Sequence, residues 1–360
     1  MTQNASFNLL RHLSAIRLTR CLLAACVAVL SACGGGSSGP AASDPPVNPN
    51  AYPTAIPASG DYSVYTLTST PSLPAGGAAT QRSMTRFFKV VNSDSSLTRV
   101  TTYSTQDSSG TSTFNATNGL ETSILGTTTC TYAPAWVGGA PRSAVVGDSF
   151  SSSASETCVT PGSATVTSSL TNNGKADAVE TVSIPLGSFK AFKFSHTVVR
   201  TNSAAASTTV ESCWADMVTG RTVKCDWTYS TTNAGQSSPS SAGSVTMVLQ
   251  SYSFRGAAPV GPTVRRFAGY WRVTFSGTGS GKCDNVLIDT NGSISGSCVN
   301  EVVGGYSNPW TITGVVDANG SASITAATGA TLTGTFATPT NASGTWVNGA
   351  ANGSWAAVHQ

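Results

Sequence analysis

The chain has 360 residues, 10% of them charged and 39% hydrophobic, with 19 Lys+Arg against 16 Asp+Glu. Charge this sparse, with no basic cluster tracking a row of aromatics, argues against a nucleic-acid partner. Seven Trp, nine Tyr and twelve Phe exclude a wholly disordered chain, because they can build cores.

At the N-terminus, Arg11, Arg17 and Arg20 precede an unbroken apolar stretch from Cys21 to Leu30 with no acid among them. The pattern predicts a secretory signal over 1–32, too short to span a bilayer. Leu30-Ser31-Ala32-Cys33 then resembles a bacterial lipobox. The resemblance implies that the Cys33 thiol takes a diacylglyceryl group, that cleavage makes Cys33 the new N-terminus and that its amine is acylated. Each buried methylene contributes about 0.8 kcal/mol, so two or three acyl chains anchor a protein durably. Gly34 rather than an aspartate follows Cys33, which implies the outer membrane of a two-membrane envelope. Nineteen basic residues less the three signal arginines leave sixteen, equal to the acids, so the processed chain is neutral.

Residues 33–60 read as a tether: six prolines (Pro40, Pro45, Pro46, Pro49, Pro53, Pro57) and the single charge of Asp44. Its reach is about 30 Å as a coil and about 80 Å as polyproline. From 61 onward no long stretch has apolar residues at helical spacing. Short alternating runs such as "RFFKVV", "VETVSI" and "FKAFKFSHTVV", punctuated by Gly, Pro, Asn and Ser, predict antiparallel strands. Residues 61–254 are therefore expected to form an antiparallel β-sandwich or curved-sheet domain. "ETVSIPLGSFKAFKF" and "CWADMVTGRTVKCDW" resemble a pattern of secreted bacterial β proteins. That resemblance implies a sheet packed around Phe189, Phe192, Phe194, Trp214 and Trp227. Tyr132 and Trp136 in "CTYAPAWVGG" are candidates for a groove, with plain packing as the alternative.

The segment 255–266, with two prolines and two glycines, predicts a linker to a second domain over 267–360. There "FAGYWRVTF", "CDNVLI", "SISGSC", "WTITGVV", "SASITA", "TLTGTF", "ASGTW" and "GSWAAV" predict an eight-stranded antiparallel meander barrel. The joints "DTNGS" and "DANGS" read as tight hairpin turns through Asn-Gly, and they lack the glutamate of a calcium loop. Gly269-Tyr270-Trp271 resembles the Gly-x-Trp of calycin barrels, the lipocalin and avidin group. The cadence "SASITAATGATLTGTF" is similar to the eight-stranded barrels of transferrin-binding-protein-type surface lipoproteins. These likenesses imply a lumen, with Trp271, Tyr270, Phe275 and Phe336 as candidate ligand-binding residues. Lipocalins cover the tryptophan with a late basic residue, and no Lys or Arg follows Lys282 here.

Beyond Cys33, six cysteines remain in the exported part: Cys130, Cys158, Cys213, Cys225, Cys283 and Cys298. An even number predicts disulfides. Domain membership favours Cys283–Cys298, the hairpin favours Cys213–Cys225, and Cys130–Cys158 is left. Each is worth roughly 3 kcal/mol in the chain-entropy model. No Cys-x-x-Cys occurs and only His196 and His359 follow the signal, so no metal is expected.

Catalysis is not expected either. There is no Gly-x-Ser-x-Gly elbow, His196 falls on a predicted strand, and His359 is penultimate, where chains fray. Glu211, Asp216 and Asp226 are the carboxylates at hand for glycoside chemistry, and their spacing does not demand it. No phosphate loop or dinucleotide fingerprint is present, so no cofactor is expected. The sequence predicts a non-catalytic envelope lipoprotein, partnered by the membrane through Cys33 and by a small apolar or glycan ligand. A structural or surface-interaction protein with a packed barrel is the alternative.

Overall fold

The protein is described by a computed structural model covering residues 48–73, 77–104 and 109–360. The signal, Cys33 and the first part of the tether lie outside the described residues.

Twelve strands build the larger unit: β1 (Tyr62–Leu73), β2 (Thr80–Val91), β3 (Leu97–Tyr103), β4 (Gly110–Phe114), β5 (Leu120–Leu125), β6 (Thr128–Trp136), β7 (Ser149–Val159), β8 (Val166–Ile184), β9 (Gly187–Thr201), β10 (Ala205–Asp216), β11 (Thr222–Asn233) and β12 (Ser241–Tyr252). Each pairs antiparallel with its sequence neighbours, and β1 pairs with both β2 and β12. The curved sheet therefore closes into a barrel and is not a two-sheet sandwich. Closure removes the two edges that an open meander would expose.

Alternation sets the inner face. Met84, Arg86 and Phe88 of β2 share it with Leu97, Arg99 and Tyr103 of β3, and with Phe192, Phe194, His196 and Val198 of β9. Trp214 departs from the expected core: Cys213 and Ala215 point inward, so Trp214 points out. It lies between the Lys193 and Lys224 ammonium groups, 5.2 and 5.1 Å from its ring, and donates to Glu180 Oε1 at 2.6 Å. Most outer positions of β7 and β8 are hydroxyls and amides, among them Ser151, Ser153, Thr167, Ser169, Thr171 and Asn173. A bilayer-spanning barrel carries an apolar band there, so this face is built for water.

A twelve-stranded barrel encloses more space than wall side chains alone can fill. The chain fills it with segments that sequence reading placed elsewhere. Residues 48–60 were expected in the tether, yet Tyr52, Pro53, Ile56 and Pro57 are buried. Tyr52 packs edge-on against Phe192 and Phe194, with ring centroids 5.2 and 6.0 Å away, and its amide donates to Ala144 O at 2.8 Å. Ala140 and Ala144 of the β6–β7 loop join the same core. Residues 48–60 therefore belong to the barrel, and the rest of the expected tether lies outside the described residues.

Nine strands follow: β13 (Gly269–Gly277), β14 (Gly281–Ile288), β15 (Ser293–Val302), β16 (Gly305–Tyr306), β17 (Trp310–Val316), β18 (Ser321–Ala326), β19 (Thr331–Thr338), β20 (Asn341–Asn348) and β21 (Ala351–His359). Pairing of β13 with β21 and of β14 with β15 closes eight of them into the expected antiparallel barrel, and β16 is a short arm on β15. Ala322, Ile324 and Ala326 point in while Ser321, Ser323 and Thr325 point out. Gly334 and Gly344 face each other across β19 and β20, where a Cβ on either would collide with the Trp355 ring. In "DTNGS" and "DANGS" only Gly292 and Gly320 take positive φ, at 89° and 90°. Asp289 Oδ1 accepts from the amides of Asn291 and Ser293, and Asp317 Oδ1 from those of Asn319 and Ser321.

Disulfides join Cys130–Cys158, Cys213–Cys225 and Cys283–Cys298. The first two link residues directly opposite each other on paired strands. Between the barrels, a 3₁₀ turn (Val264–Phe267) packs on β1: the Arg266 guanidinium lies 5.3 Å above the Tyr62 ring and donates to its hydroxyl at 3.3 Å. Outward-facing Tyr62, Val64 and Phe87 cluster beside it.

Candidate functional site

The four aromatic residues proposed around a lumen in the smaller barrel do not form one site. Trp271 is fully buried, donates through Nε1 to Phe267 O at 2.8 Å, and meets the Phe336 ring edge-on at 4.8 Å. Phe336 is buried in turn against Phe267 and Trp355. Tyr270 points away from them because it alternates with Trp271. Phe275 lies farther along β13, among the partly buried Trp310 and Trp346. These side chains fill the interior that the calycin likeness reserved for a ligand.

His359 is not frayed. Its ring sits 4.9 Å from that of Trp271, and the carbonyls of Ala268 and Gln360 each lie 3.1 Å from one of its nitrogens. Burial holds the imidazole below the ordinary histidine range, against the pull of those two carbonyls. A histidine kept neutral by the fold gives stability that is complete above its unfolded pKa, about 6.5, and lost as pH falls towards the depressed folded value. Thermal unfolding of the smaller barrel should therefore start earlier as the buffer is taken below about pH 6.5. His359→Gln should flatten that dependence.

In the larger barrel, sequence candidates separate in the same way. Glu211 faces inward beside His196, with Glu211 Oε2 3.3 Å from His196 Nε2. Asn172 orients this pair: its Nδ2 donates to the carbonyls of Val137 and Gly139 at 3.0 and 3.2 Å, so its Oδ1 accepts from His196 Nδ1 at 2.9 Å. Asp216 caps the β10–β11 turn through the Thr219 amide and hydroxyl, and Asp226 is outside with Lys224 at 2.6 Å. No pair of these carboxylates faces a common space. Tyr132 and Trp136 are buried and stacked, centroids 6.2 Å apart, as core. Among the described residues, two groups approach metal-ligand distances, Cys130/Glu156/Cys158 and His196/Glu211/Cys213. Each includes a cysteine committed to a disulfide, so neither offers a thiolate.

What sequence reading missed is a recess at the end of the larger barrel where β1 begins. Arg86, Arg99 and Arg221 line it, with Ser63, Asn118 and Phe114 among its other walls, and it is partly open to solvent. The three arginines are only 6%, 6% and 3% exposed. Each guanidinium lies against an aromatic face: Arg86 on Tyr65 at 5.2 Å, Arg99 on Phe114 at 4.9 Å, Arg221 on Tyr252 at 4.4 Å. Arg221 Nη2 donates to Ser253 O at 2.8 Å. None of the three has a carboxylate within ion-pairing distance among the described residues, and Arg86 Nε, Arg99 Nε and Arg221 Nη1 have no hydrogen-bond acceptor. The nearest acids stand beyond ion-pairing distance: Asp61 accepts from the amides of Ala58 and Arg255, Asp216 caps its turn, and Glu211 faces His196 while its Oε1 has no partner. Glu211 still favours the charged form of Arg86 through space, as Asp61 and Asp216 do that of Arg221. Burial first, and then the like charge of Arg86, lower Arg99 to about 9, still well above neutral pH. The signal was present in "SMTRFFK", where strict alternation puts Arg86 on the face of Met84 and Phe88.

No protein-family model matches the chain, and no curated protein matches it. Among solved structures the chain is similar to the hypothetical lipoprotein YmcC from Escherichia coli, at 12% identity and a TM-score of 0.30, covering 51% of this chain and 82% of that one. A likeness that loose carries no argument about this protein.

Proposed function

We propose that the protein is a non-catalytic lipoprotein of a bacterial cell envelope, anchored through Cys33 with the outer membrane favoured by Gly34, and that its larger barrel is a binding module. The anchor rests on the apolar stretch, the Leu30-Ser31-Ala32-Cys33 lipobox and the Pro-rich tether that follows. The observation that carries the binding role is the cationic recess, whose three buried arginines have no carboxylate within ion-pairing distance among the described residues, since buried charge is ordinarily paired. Filling of the smaller barrel by Trp271, Phe336 and Trp355 favours a packed, structural role for that half.

The anchor is tested by growing cells with labelled fatty acid. The wild-type chain should take up label and sediment with membranes, whereas Cys33→Ser should stay unlabelled and leave the membrane fraction. Label in the variant, or an unlabelled wild type, would remove the lipoprotein reading.

A further inference from the structure

We infer that the recess formed by Arg86, Arg99 and Arg221 is a binding site for a phosphate-type oxyanion, either free or at the end of a larger molecule. The inference rests on the reading of the larger barrel as a binding module and adds the chemical class of its ligand.

Three observations converge on it. The first is charge without a direct partner: three guanidiniums are withdrawn from water, and no carboxylate of the described residues lies within ion-pairing distance, although Glu211, Asp61 and Asp216 act on Arg86 and Arg221 from farther off. Aromatic faces relieve part of the cost of burying a cation. They do not accept the N–H groups left over at Arg86 Nε, Arg99 Nε and Arg221 Nη1. The second is convergence: all three side chains come from different parts of the chain, β2, β3 and the β10–β11 turn, to line one small recess. The guanidinium fork matches the oxygens of carboxylate and phosphate. Three separate N–H groups without acceptors outnumber the two oxygens of a carboxylate and match the several oxygens of a phosphate. The third is the rest of the wall: Ser63, Asn118 and Thr219 bring neutral polar groups, while Phe88, Leu97 and Phe114 exclude water from one side. The recess is small and open to solvent on one side, so any organic remainder would stay outside.

A purely structural role for the arginines makes a different forecast from a ligand role. Replacing an unpaired buried cation by an apolar residue of similar length relieves the ligand-free fold. A bound anion, by contrast, stabilises only the protein that retains the site.

The full-length lipidated protein in neutral detergent is titrated with inorganic phosphate, glycerol 3-phosphate and chloride at matched ionic strength, reading the unfolding temperature and, by calorimetry, Kd. Phosphate or its ester is expected to bind at least tenfold more tightly than chloride. Arg99→Met is expected to unfold at the same or a higher temperature without anion and to lose the phosphate-dependent rise. Arg86→Met serves as the second variant should the first not fold. A larger effect of free phosphate assigns the site to the ion, and a larger effect of the ester assigns it to a phosphorylated molecule such as a lipid headgroup. Equal shifts with chloride, or a full phosphate response in folded Arg99→Met, would overturn the inference. Native mass spectra of the same protein then separate the two levels of failure. A co-purified neutral molecule without phosphate binding leaves the binding module standing and this ligand class wrong. Neither adduct nor anion response removes both.

Discussion

Trp271→Ala is expected to destabilise the smaller barrel by about 3–5 kcal/mol. The side chain is fully buried, its indole ring is edge-on to Phe336, and its N–H satisfies Phe267 O. Deletion opens a void between Phe267, Phe336 and His359 and strands the carbonyl, so a cavity cost and an unsatisfied acceptor add to the lost burial. Trp271→Phe keeps most of the volume and should cost about 1–2 kcal/mol, mainly the lost hydrogen bond and a smaller gap. Scanning calorimetry of the whole chain reads both, with the loss confined to the transition of the smaller barrel. A Trp271→Ala protein within about 1 kcal/mol of wild type would mean that the barrel has spare room, and the lumen that the calycin likeness implied would return.

The smaller barrel was legible because its information is local. Strands such as "TLTGTF" and "SASITA" alternate without interruption, and Asp-x-Asn-Gly joints mark two of the hairpin turns. Glycine at 334 and 344 reads as a weak strand until Trp355 is placed across it. Closure of the larger barrel was not legible, because a sandwich, a curved sheet and a barrel share the same alternation. What decides among them is pairing of Ser63 with Tyr252, residues at opposite ends of the unit that carry no local mark of each other. The plug was hidden for a different reason. Tyr52 and Ile56 sit in a proline-rich stretch whose composition reads as tether, and only the wide lumen of twelve strands gives those side chains somewhere to go. The arginine recess lies between these cases. Alternation places Arg86 and Arg99 inward, but a lone arginine in a strand is assigned outward by its hydration cost, and only the neighbouring aromatic rings explain why the fold tolerates it.

The other large effect is expected at Arg200→Met, at about 3–5 kcal/mol. Inside the larger barrel, near the Cys130–Cys158 bridge, Arg200 donates to Glu156 Oε2 through Nε at 2.6 Å and also through Nη2, while Tyr132 donates to Glu156 Oε1 at 3.1 Å. The two partners are unequal: the Glu156 side chain is 5% exposed and that of Arg200 17%. Removing the arginine strands a carboxylate that water cannot reach, whereas Glu156→Gln leaves a cation that is partly wet, so the second substitution should cost less, about 1–3 kcal/mol. Replacing both by methionine should fall below either single change, because no unpaired charge is left behind. Urea unfolding of the three proteins measures the order. A double variant as unstable as Arg200→Met would mean that the arginine stabilises the barrel through its packed alkyl chain and not through its charge.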